Sequence, residues 1–121
     1  METDLTIFRA CADATRLRIL YILCEGELCV CELVDVLQMA QGKVSRHLAQ
    51  LRQAGLVRDR REGVWIHYSL APAKVPLLRR LFAYLRSTRE EAGARDLQRL
   101  RERTSSGDLC APRIRRAEAA G

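Results

Sequence analysis

Residues 43–57 read KVSRHLAQLRQAGLV, which predicts an amphipathic helix followed by an abrupt stop. Three apolar side chains recur at the three- and four-residue spacing of a buried helix face: Val44, Leu48 and Leu51. Gly55 marks the end, because glycine readily takes the left-handed conformation that terminates many helices. We therefore expect a helix over residues 43–53 whose opposite face is polar and basic. That face carries Lys43, Ser45, Arg46, His47 and Gln50.

Three further helices are predicted upstream of this one. The first is short and lies around residues 5–11. The second follows Asp13, whose carboxylate suits the N-cap position, and ends at Gly26. The third is expected to begin around Cys29 and to run to about residue 37, and residues 38–42 then form a turn. The third and fourth helices would thus be joined by a short connection.

The downstream sequence predicts a hairpin, a last helix and a tail. Two β-rich runs, 56–60 and 64–70, flank Arg61-Glu62-Gly63, which is a hairpin signal with glycine in the turn. An apolar stripe then begins at Leu77 and continues weakly to Arg103. We expect residues 1–103 to form one domain. Residues 104–121 are polar and rich in small side chains, which predicts a disordered tail.

This order of elements is typical of a winged helix-turn-helix, a mostly α fold with a β-hairpin. In that arrangement the second helix of the pair enters the major groove and the hairpin, the wing, lies near the DNA backbone. The apolar stripes on the first and last helices exceed what one small core needs. We therefore predict a homodimer formed through the first and last helices, which would match a palindromic double-stranded operator.

The charge distribution supports DNA as the partner. The net charge is +6, yet residues 1–70 are balanced and residues 71–121 carry the whole excess. Basic residues of the first half cluster between positions 43 and 61, as phosphate contacts require. Arginine and glutamine have the bidentate geometry for guanine and adenine, respectively. The candidate DNA-binding residues are Ser45, Arg46, His47 and Gln50 for base edges or phosphates, and Lys43, Arg60 and Arg61 for phosphates.

The cysteines are expected to serve as thiols or metal ligands. No stretch approaches the roughly 18 apolar residues of a membrane span, and the acidic N-terminus lacks the order of a secretory signal. We therefore expect a cytoplasmic protein with no membrane partner. Disulfides are rare in that compartment, and the cysteine count of five is odd.

Cys29-Val30-Cys31 places two thiols beside the predicted DNA-binding segment. Soft ions prefer thiolates, so a thiol pair here suggests a switch. Residues two apart on a regular helix, however, point about 200° apart around its axis. The two sulfurs therefore cannot hold one ion unless the backbone is non-helical there or becomes so. If the two cysteines lie in the first turn of the third helix, the positive end of the helix dipole would favour their thiolate form.

Four segments resemble the ArsR/SmtB family of metalloregulatory repressors: residues 8–20, 27–33, 45–57 and 60–68. The resemblance covers about residues 5–85, in order and at the family's spacing. Cys29 and Cys31 look like the thiol element of the arsenic-responsive branch. This resemblance implies a dimeric repressor that trivalent arsenic or antimony releases from DNA, with Cys29 and Cys31 as ligands and no permanently bound cofactor.

The sequence departs from the family in ways that bear on the ligand set. The third cysteine that often follows the pair is replaced by Val34. Cys110, in the predicted tail, is a tentative third ligand, whereas Cys11 and Cys24 fall on apolar stripes and are expected in the core. No histidine follows His67, which argues against the family's zinc site on the last helix.

We thus predict a repressor of an arsenic-resistance operon rather than an enzyme. One alternative is a redox-responsive repressor on the same scaffold, in which the cysteines form a sulfenate or a disulfide. A more remote alternative is a thiol-dependent enzyme that processes arsenic. The phosphatase-like form of such an enzyme needs Cys-x5-Arg, and the nearest spacing here, Cys11 to Arg16, has four intervening residues and no glycine.

Overall fold

Helix–turn–helix and hairpin follow one another in the chain as the sequence predicts. The computed structural model describes residues 1–106. The predicted tail from residue 107 onward, with Cys110, lies outside the described residues. The elements are α1 (Glu2–Cys11), α2 (Ala14–Leu23), β1 (Leu28–Cys29), α3 (Val30–Leu37), α4 (Gln41–Gln53), β2 (Val57–Glu62), β3 (Trp65–Leu70), α5 (Pro76–Ala92) and α6 (Ala94–Ser106).

The predicted apolar face of α4 forms the centre of the core. Val44, Leu48 and Leu51 are completely buried, and α3 buries Leu33 and Val36 as completely. Burying such side chains stabilises the fold by roughly 1.5–3 kcal/mol each. Asp13 caps α2 as predicted: its carboxylate accepts the Arg16 backbone N–H at 3.0 Å. The helix pair is therefore held by the residues that the periodicity identified.

The sheet has three strands where the sequence predicted two. Its order is β1-β3-β2, and β1 pairs antiparallel with β3 through Leu28↔Tyr68 and Cys29↔His67. The predicted hairpin turn at 61–63 is displaced, because Arg61 and Glu62 belong to β2 and pair with β3. Gly63, with φ of 58°, begins the shorter loop. The strands gain Arg61 and Glu62 but lose Leu56 and Val64, so the loop is one residue shorter than predicted and the number of strand residues is unchanged.

The single apolar stripe predicted for the last helix is divided between α5 and α6. The break falls at buried Gly93, where a Cβ atom would lie 3.1 Å from the Arg89 carbonyl oxygen and 3.3 Å from Tyr21 Cβ. Glycine thus permits the close approach to α2. Helix α6 packs against α2, α3 and α5, buries Leu97 and Leu100, and continues to Ser106, three residues beyond the predicted domain boundary.

Large exposed apolar side chains lie on α1, on α5 and at the tip of the wing, where Val64 is 88% exposed. Phe8 on α1 is 59% exposed and Tyr84 on α5 is 61% exposed, with Leu5 at 42%. The predicted contact with a second copy would therefore use α1 and the first half of the predicted last helix. Among residues 1–106 no helix combines the length and the apolar character needed to cross a bilayer.

Candidate functional site

The two predicted thiol ligands meet at the junction of β1 and α3. Cys29 ends β1 and is the N-cap of α3, with an extended backbone (φ −83°, ψ 165°), and Cys31 is the second residue of the helix. Their Sγ atoms lie 2.9 Å apart, farther than the roughly 2.05 Å of an S–S bond. The helix therefore begins around Cys29, as predicted. Because Cys29 is extended, both sulfurs lie on the same side of the junction.

The sulfurs differ in their surroundings. Cys29 is 1% exposed, whereas Cys31 lies on the surface. Burial raises the pKa of the Cys29 thiol to about 11; the Glu32 backbone N–H opposes this rise in pKa, and the Glu32 carboxylate adds to it. The sequence-based expectation that the helix dipole favours the Cys29 thiolate was therefore wrong, because loss of solvation has the larger effect.

The raised pKa predicts a slow reaction of Cys29 with alkylating agents. Since the thiolate is the nucleophile, two pKa units correspond to about 100-fold slower alkylation at pH 8 than in the urea-unfolded chain. The rate should rise about tenfold per pH unit up to pH about 11. Mass spectrometry of peptides from the reduced, iodoacetamide-treated protein measures this rate. Equal rates in folded and unfolded protein would show that the thiol is not shielded.

Glu32 secures the backbone of this junction. Its carboxylate is 1% exposed and accepts the Cys29 backbone N–H at 2.9 Å, completing a capping box with the Cys29 side chain. Glu32 was not among the residues predicted from the sequence. The four-residue pattern Cys29-x-x-Glu32 was the available signal, but cysteine is an uncommon residue at the N-cap. The thiol that is proposed to bind an ion is thus also part of the helix cap.

A polar cluster connects the thiol pair to the wing. Cys29 pairs with His67 across the sheet, and buried His67 places Nε2 3.1 Å from Glu62 Oε1. Arg60 donates two hydrogen bonds to Glu27, at 3.1 and 2.5 Å. Arg60, which is predicted to contact phosphate, thus pairs with Glu27 beside β1 while its side chain stays 35% exposed. The described structure therefore ties the wing to the segment that carries the thiols.

The other predicted DNA-binding residues occupy one surface of α4 and the wing. Five are exposed: Lys43, Ser45, Arg46, Gln50 and Arg61. His47 is different, since its side chain is 14% exposed and its Nδ1 lies 3.3 Å from an Arg16 nitrogen. Gln50 Oε1 also accepts a hydrogen bond from Arg16. Sequence reasoning missed Arg16 because it lies on α2, 31 and 34 residues before these partners.

The remaining cysteines do not join the pair within the described residues. Cys11 and Cys24 are half-buried and pack against the core as predicted, and burial raises the pKa of each thiol. Over residues 1–106 no group of three or more histidine, cysteine or acidic side chains is arranged to hold a metal ion. Cys31 is disulfide-bonded in the structure, where the sequence favoured a thiol.

Comparison with known proteins identifies the family. Residues 13–59, from the α2 cap into β2, match the family described as bacterial regulatory protein, arsR family. The fold is also similar to the solution structure of the homodimeric winged helix-turn-helix domain of Mb0332 from Mycobacterium bovis, a possible ArsR-family transcriptional regulator. The TM-score is 0.63 at 31% identity, covering 74% of this chain and 81% of that one. The chain belongs to the ArsR family.

Curated relatives of this ArsR-family chain include proteins named for arsenic resistance. It is 57% identical over 67 residues to the arsenic resistance transcriptional regulator ArsR1 of Pseudomonas putida, covering 54% of this chain and 52% of that protein. It is 54% identical over 67 residues to the arsenical resistance operon repressor of Escherichia coli, covering 54% and 57%. The chain thus spans little more than half the length of these two relatives. The predicted family and the winged helix-turn-helix fold are confirmed.

Proposed function

We propose that this chain is a dimeric transcriptional repressor whose operator affinity falls when trivalent arsenic or antimony binds Cys29 and Cys31. The observation that carries this proposal is the 2.9 Å separation of the two sulfurs at the junction of β1 and α3. That junction touches both the wing, through β3, and the helix-turn-helix, through α3. The relatives named for arsenic resistance support the choice of ion.

The chemistry of the pair suits trivalent arsenic. Arsenous acid exchanges two hydroxides for two thiolates, and each thiol proton leaves with a hydroxide as water. The high pKa of the Cys29 thiol therefore does not prevent binding, because the exchange releases no net proton. Cys31 must first be reduced, since it is disulfide-bonded in the structure. Cys110 lies outside the described residues and is proposed as the third sulfur ligand.

Ion binding is expected to fix the distance between the two sulfurs. With metal–sulfur bonds of about 2.3 Å and a bond angle of at least 90°, two sulfurs on one ion lie more than about 3.2 Å apart. The 2.9 Å separation belongs to the state in which Cys31 is oxidised, so a small shift after reduction places both sulfurs at that distance. Cys29 is held by the sheet and the cap, and Cys31 by α3, so an ion bound by both would fix the position of β1 relative to the helix. Unwinding of α3 is thus unnecessary to bring the ligands together.

The required energy is modest. A hundredfold loss of operator affinity needs the ion to favour the DNA-incompetent conformation by about 2.7 kcal/mol. A change in the position of β1 is transmitted to the DNA-binding surface by two routes. One route is the pairing of β1 with β3 and the Arg60–Glu27 ion pair, which position the wing. The other is the packing of α3 on α4, which orients the predicted DNA-reading helix.

A selection experiment tests this function. Reduced protein would be incubated with a pool of random 30-base-pair duplexes, and the bound fraction would be sequenced over several rounds. We expect enrichment of a two-fold symmetric sequence, and release of that duplex by arsenite or antimonite. Failure to enrich any sequence would contradict the proposed DNA-binding role, and enrichment without release would contradict the proposed inducer.

A separate prediction concerns the phosphate contacts. Arg46→Ala and Arg61→Ala should each reduce the slope of log affinity against log salt by about 1, because each removed phosphate contact releases about one fewer counterion. Fluorescence anisotropy with the selected duplex between 50 and 200 mM salt measures the slope. Arg101→Ala on α6 is the matched control, since Arg101 is paired with Glu90 and Glu25. An unchanged slope for Arg46→Ala would show that Arg46 does not contact a phosphate.

A redox-responsive repressor is the second candidate. The disulfide on Cys31 is the observation that favours it. Here two thiols would be oxidised to a disulfide, with peroxide as the oxidant reduced to two waters. A redox sensor would release the selected duplex with peroxide while ignoring arsenite in the presence of reductant. The proposed metalloid sensor would respond to arsenite under reducing conditions.

A further inference from the structure

An open cleft lies between α1 and the C-terminal half of α4. Its volume is about 290 Å³, and its polar lining consists of Thr6 and Arg9 of α1, Arg16 of α2, and Gln50 and Gln53 of α4. No lining side chain is acidic. Pockets for drug-sized ligands usually enclose about 300–1,000 Å³. The cleft therefore suits a small anionic group better than a cofactor.

Four hydrogen bonds hold the Arg16 guanidinium between the two helices. Its Nε donates to the Ala10 carbonyl at 2.6 Å, and one terminal nitrogen donates to the Arg9 carbonyl at 3.2 Å. The other terminal nitrogen donates to His47 Nδ1 at 3.3 Å and to Gln50 Oε1. Arginine has five N–H donors. One N–H, on the nitrogen that bonds the Arg9 carbonyl, is therefore left over after these four bonds.

The two positive charges of the cleft form no ion pair with an acidic side chain of residues 1–106. Arg9 is exposed in the last turn of α1, and neither guanidinium lies within 4.0 Å of a described carboxylate. The carboxylate nearest to Arg16 in the chain, Asp13, accepts the Arg16 backbone N–H at 3.0 Å and lies 3.9 Å from His47 Nδ1. The cleft thus presents two uncompensated charges to an anion from outside.

The position of the cleft beside α4 points to the DNA backbone as the source of that anion. A helix with its side chains is about 10–12 Å across, and the major groove is about 12 Å wide. A helix inserted there fills the groove, so the elements that flank it meet the phosphates at the groove edge. Gln50 belongs both to the predicted reading face and to the cleft lining.

We propose that the cleft binds one backbone phosphate in each half-site of the operator, with Arg9 and Arg16 as the principal donors. The inference rests on the proposed DNA-binding role of α4 and adds contacts from α1 and α2 to it. Arg16 offers its remaining N–H from a fixed position, and exposed Arg9 supplies the second charge. Such contacts fix the register of a protein on the duplex without reading its sequence.

The cleft and the predicted dimer contact use different faces of α1. Thr6 and Arg9 line the cleft, whereas exposed Leu5 and Phe8 each precede one of them by one residue. One residue corresponds to about 100° around a helix axis. A second copy bound to Leu5 and Phe8 therefore need not cover Arg9.

A phosphate scan tests the contact. Single phosphates of the selected duplex would be replaced by uncharged methylphosphonate, and affinity measured for wild type, Arg9→Met and Arg101→Met. We expect one position in each half-site where the wild type loses at least tenfold in affinity and Arg9→Met loses at least threefold less, because only the Arg16 contact remains there. Arg101→Met removes the same charge from α6, outside the cleft, and should follow the wild type. Losses for Arg9→Met and wild type that differ by less than threefold at every position would overturn the proposal.

A carboxylate placed in the cleft gives a second test. Thr6→Glu and Thr6→Gln have side chains of the same size and differ in charge. We expect Thr6→Glu to bind the selected duplex at least fivefold more weakly than Thr6→Gln at 50 mM salt, and the difference to shrink at 200 mM because salt screens exposed charges. The same pair of substitutions at Thr3, one turn earlier and outside the lining, should differ by less than twofold. Equal affinities of the two Thr6 variants would contradict an anion in the cleft.

A free phosphate ion is the other source of the same chemistry. We expect millimolar inorganic phosphate to change the melting temperature of DNA-free protein no more than sodium chloride of equal ionic strength does. A rise in the wild type that Arg9→Met lacks, together with indistinguishable phosphate scans, would assign the cleft to a free anion and overturn the DNA contact. Failure of the wild type to enrich any duplex would contradict the proposed function as well, whereas enrichment without a cleft-dependent phosphate contradicts this contact alone.

Discussion

Replacing both cysteines of the pair, Cys29→Ser/Cys31→Ser, should abolish release from DNA by arsenite while leaving operator binding in place. The wild type is expected to lose at least 100-fold in affinity at saturating arsenite, and the double variant less than twofold. Serine keeps the size of each side chain, but its hydroxyl is a hard ligand that trivalent arsenic binds poorly. Fluorescence anisotropy with the selected duplex, in the presence of reductant, measures both affinities.

The chain offers a matched control for this experiment. Cys24 is the C-cap of α2, and its thiol donates to the Leu20 carbonyl at 3.4 Å, a bond that a serine hydroxyl can replace. Cys24→Ser should therefore respond to arsenite like the wild type. Cys31→Ser alone changes only the exposed member of the pair and leaves buried Cys29 in place. A lost arsenite response in this single variant would therefore reflect the missing ligand and not damage to the core. Arsenite release of the double variant at wild-type doses would disprove the proposed site.

Replacing Arg18 by methionine should lower the free energy of unfolding by about 3 kcal/mol. Arg18 donates two hydrogen bonds of 2.9 Å to Asp96 on α6 and a third, also of 2.9 Å, to the Leu37 carbonyl at the end of α3. Asp96 is 5% exposed. Removing the partner of a buried charge typically costs 3–5 kcal/mol, and the 36% exposure of the Arg18 side chain favours the low end of that range. Arg99 lies 3.8 Å from Asp96 and can still partly compensate its charge, so we expect a loss near 3 kcal/mol.

Urea unfolding at one fixed protein concentration measures this effect, because the stability of a dimer depends on concentration. Arg52→Met is the matched control, since the Arg52–Asp59 pair has the same chemistry at an exposed position. Exposed pairs contribute about 0–1 kcal/mol. If Arg18→Met lowers the free energy of unfolding by no more than Arg52→Met does, the Arg18–Asp96 pair does not anchor α6 to the helix pair.

The helical part of the fold was predictable because its signals are local. The spacing of Val44, Leu48 and Leu51 gave the buried face of α4, and the Asp13 side chain gave the start of α2. The break at Gly93 was not predicted, because the apolar stripe continues past it. At Gly93 the chain passes close to Tyr21, which lies more than 70 residues away in the sequence. Packing between residues so far apart in the chain cannot be predicted from the local spacing of apolar residues.

The candidate site was predictable in its residues and not in its geometry. The cysteine pair was identified from sequence, yet β1 contains only two residues and is too short to show strand alternation. The helix dipole argued for a low pKa at Cys29, and burial in the folded chain reverses that direction. Arg16 carries no motif that connects it to Gln50, since their contact exists only after α2 and α4 pack.

The two-residue strand β1 has a consequence for the sensitivity of the proposed response. It lies at the edge of the sheet, and its removal leaves the β2–β3 hairpin paired along its whole length. Leu28 and Cys29 are nevertheless each only 1% exposed, so core packing as well as edge pairing holds the strand in place. The proposed inducer would therefore work against packing that the domain itself needs. Changes to Leu28 should shift the inducer concentration at which the proposed repressor responds and the melting temperature together.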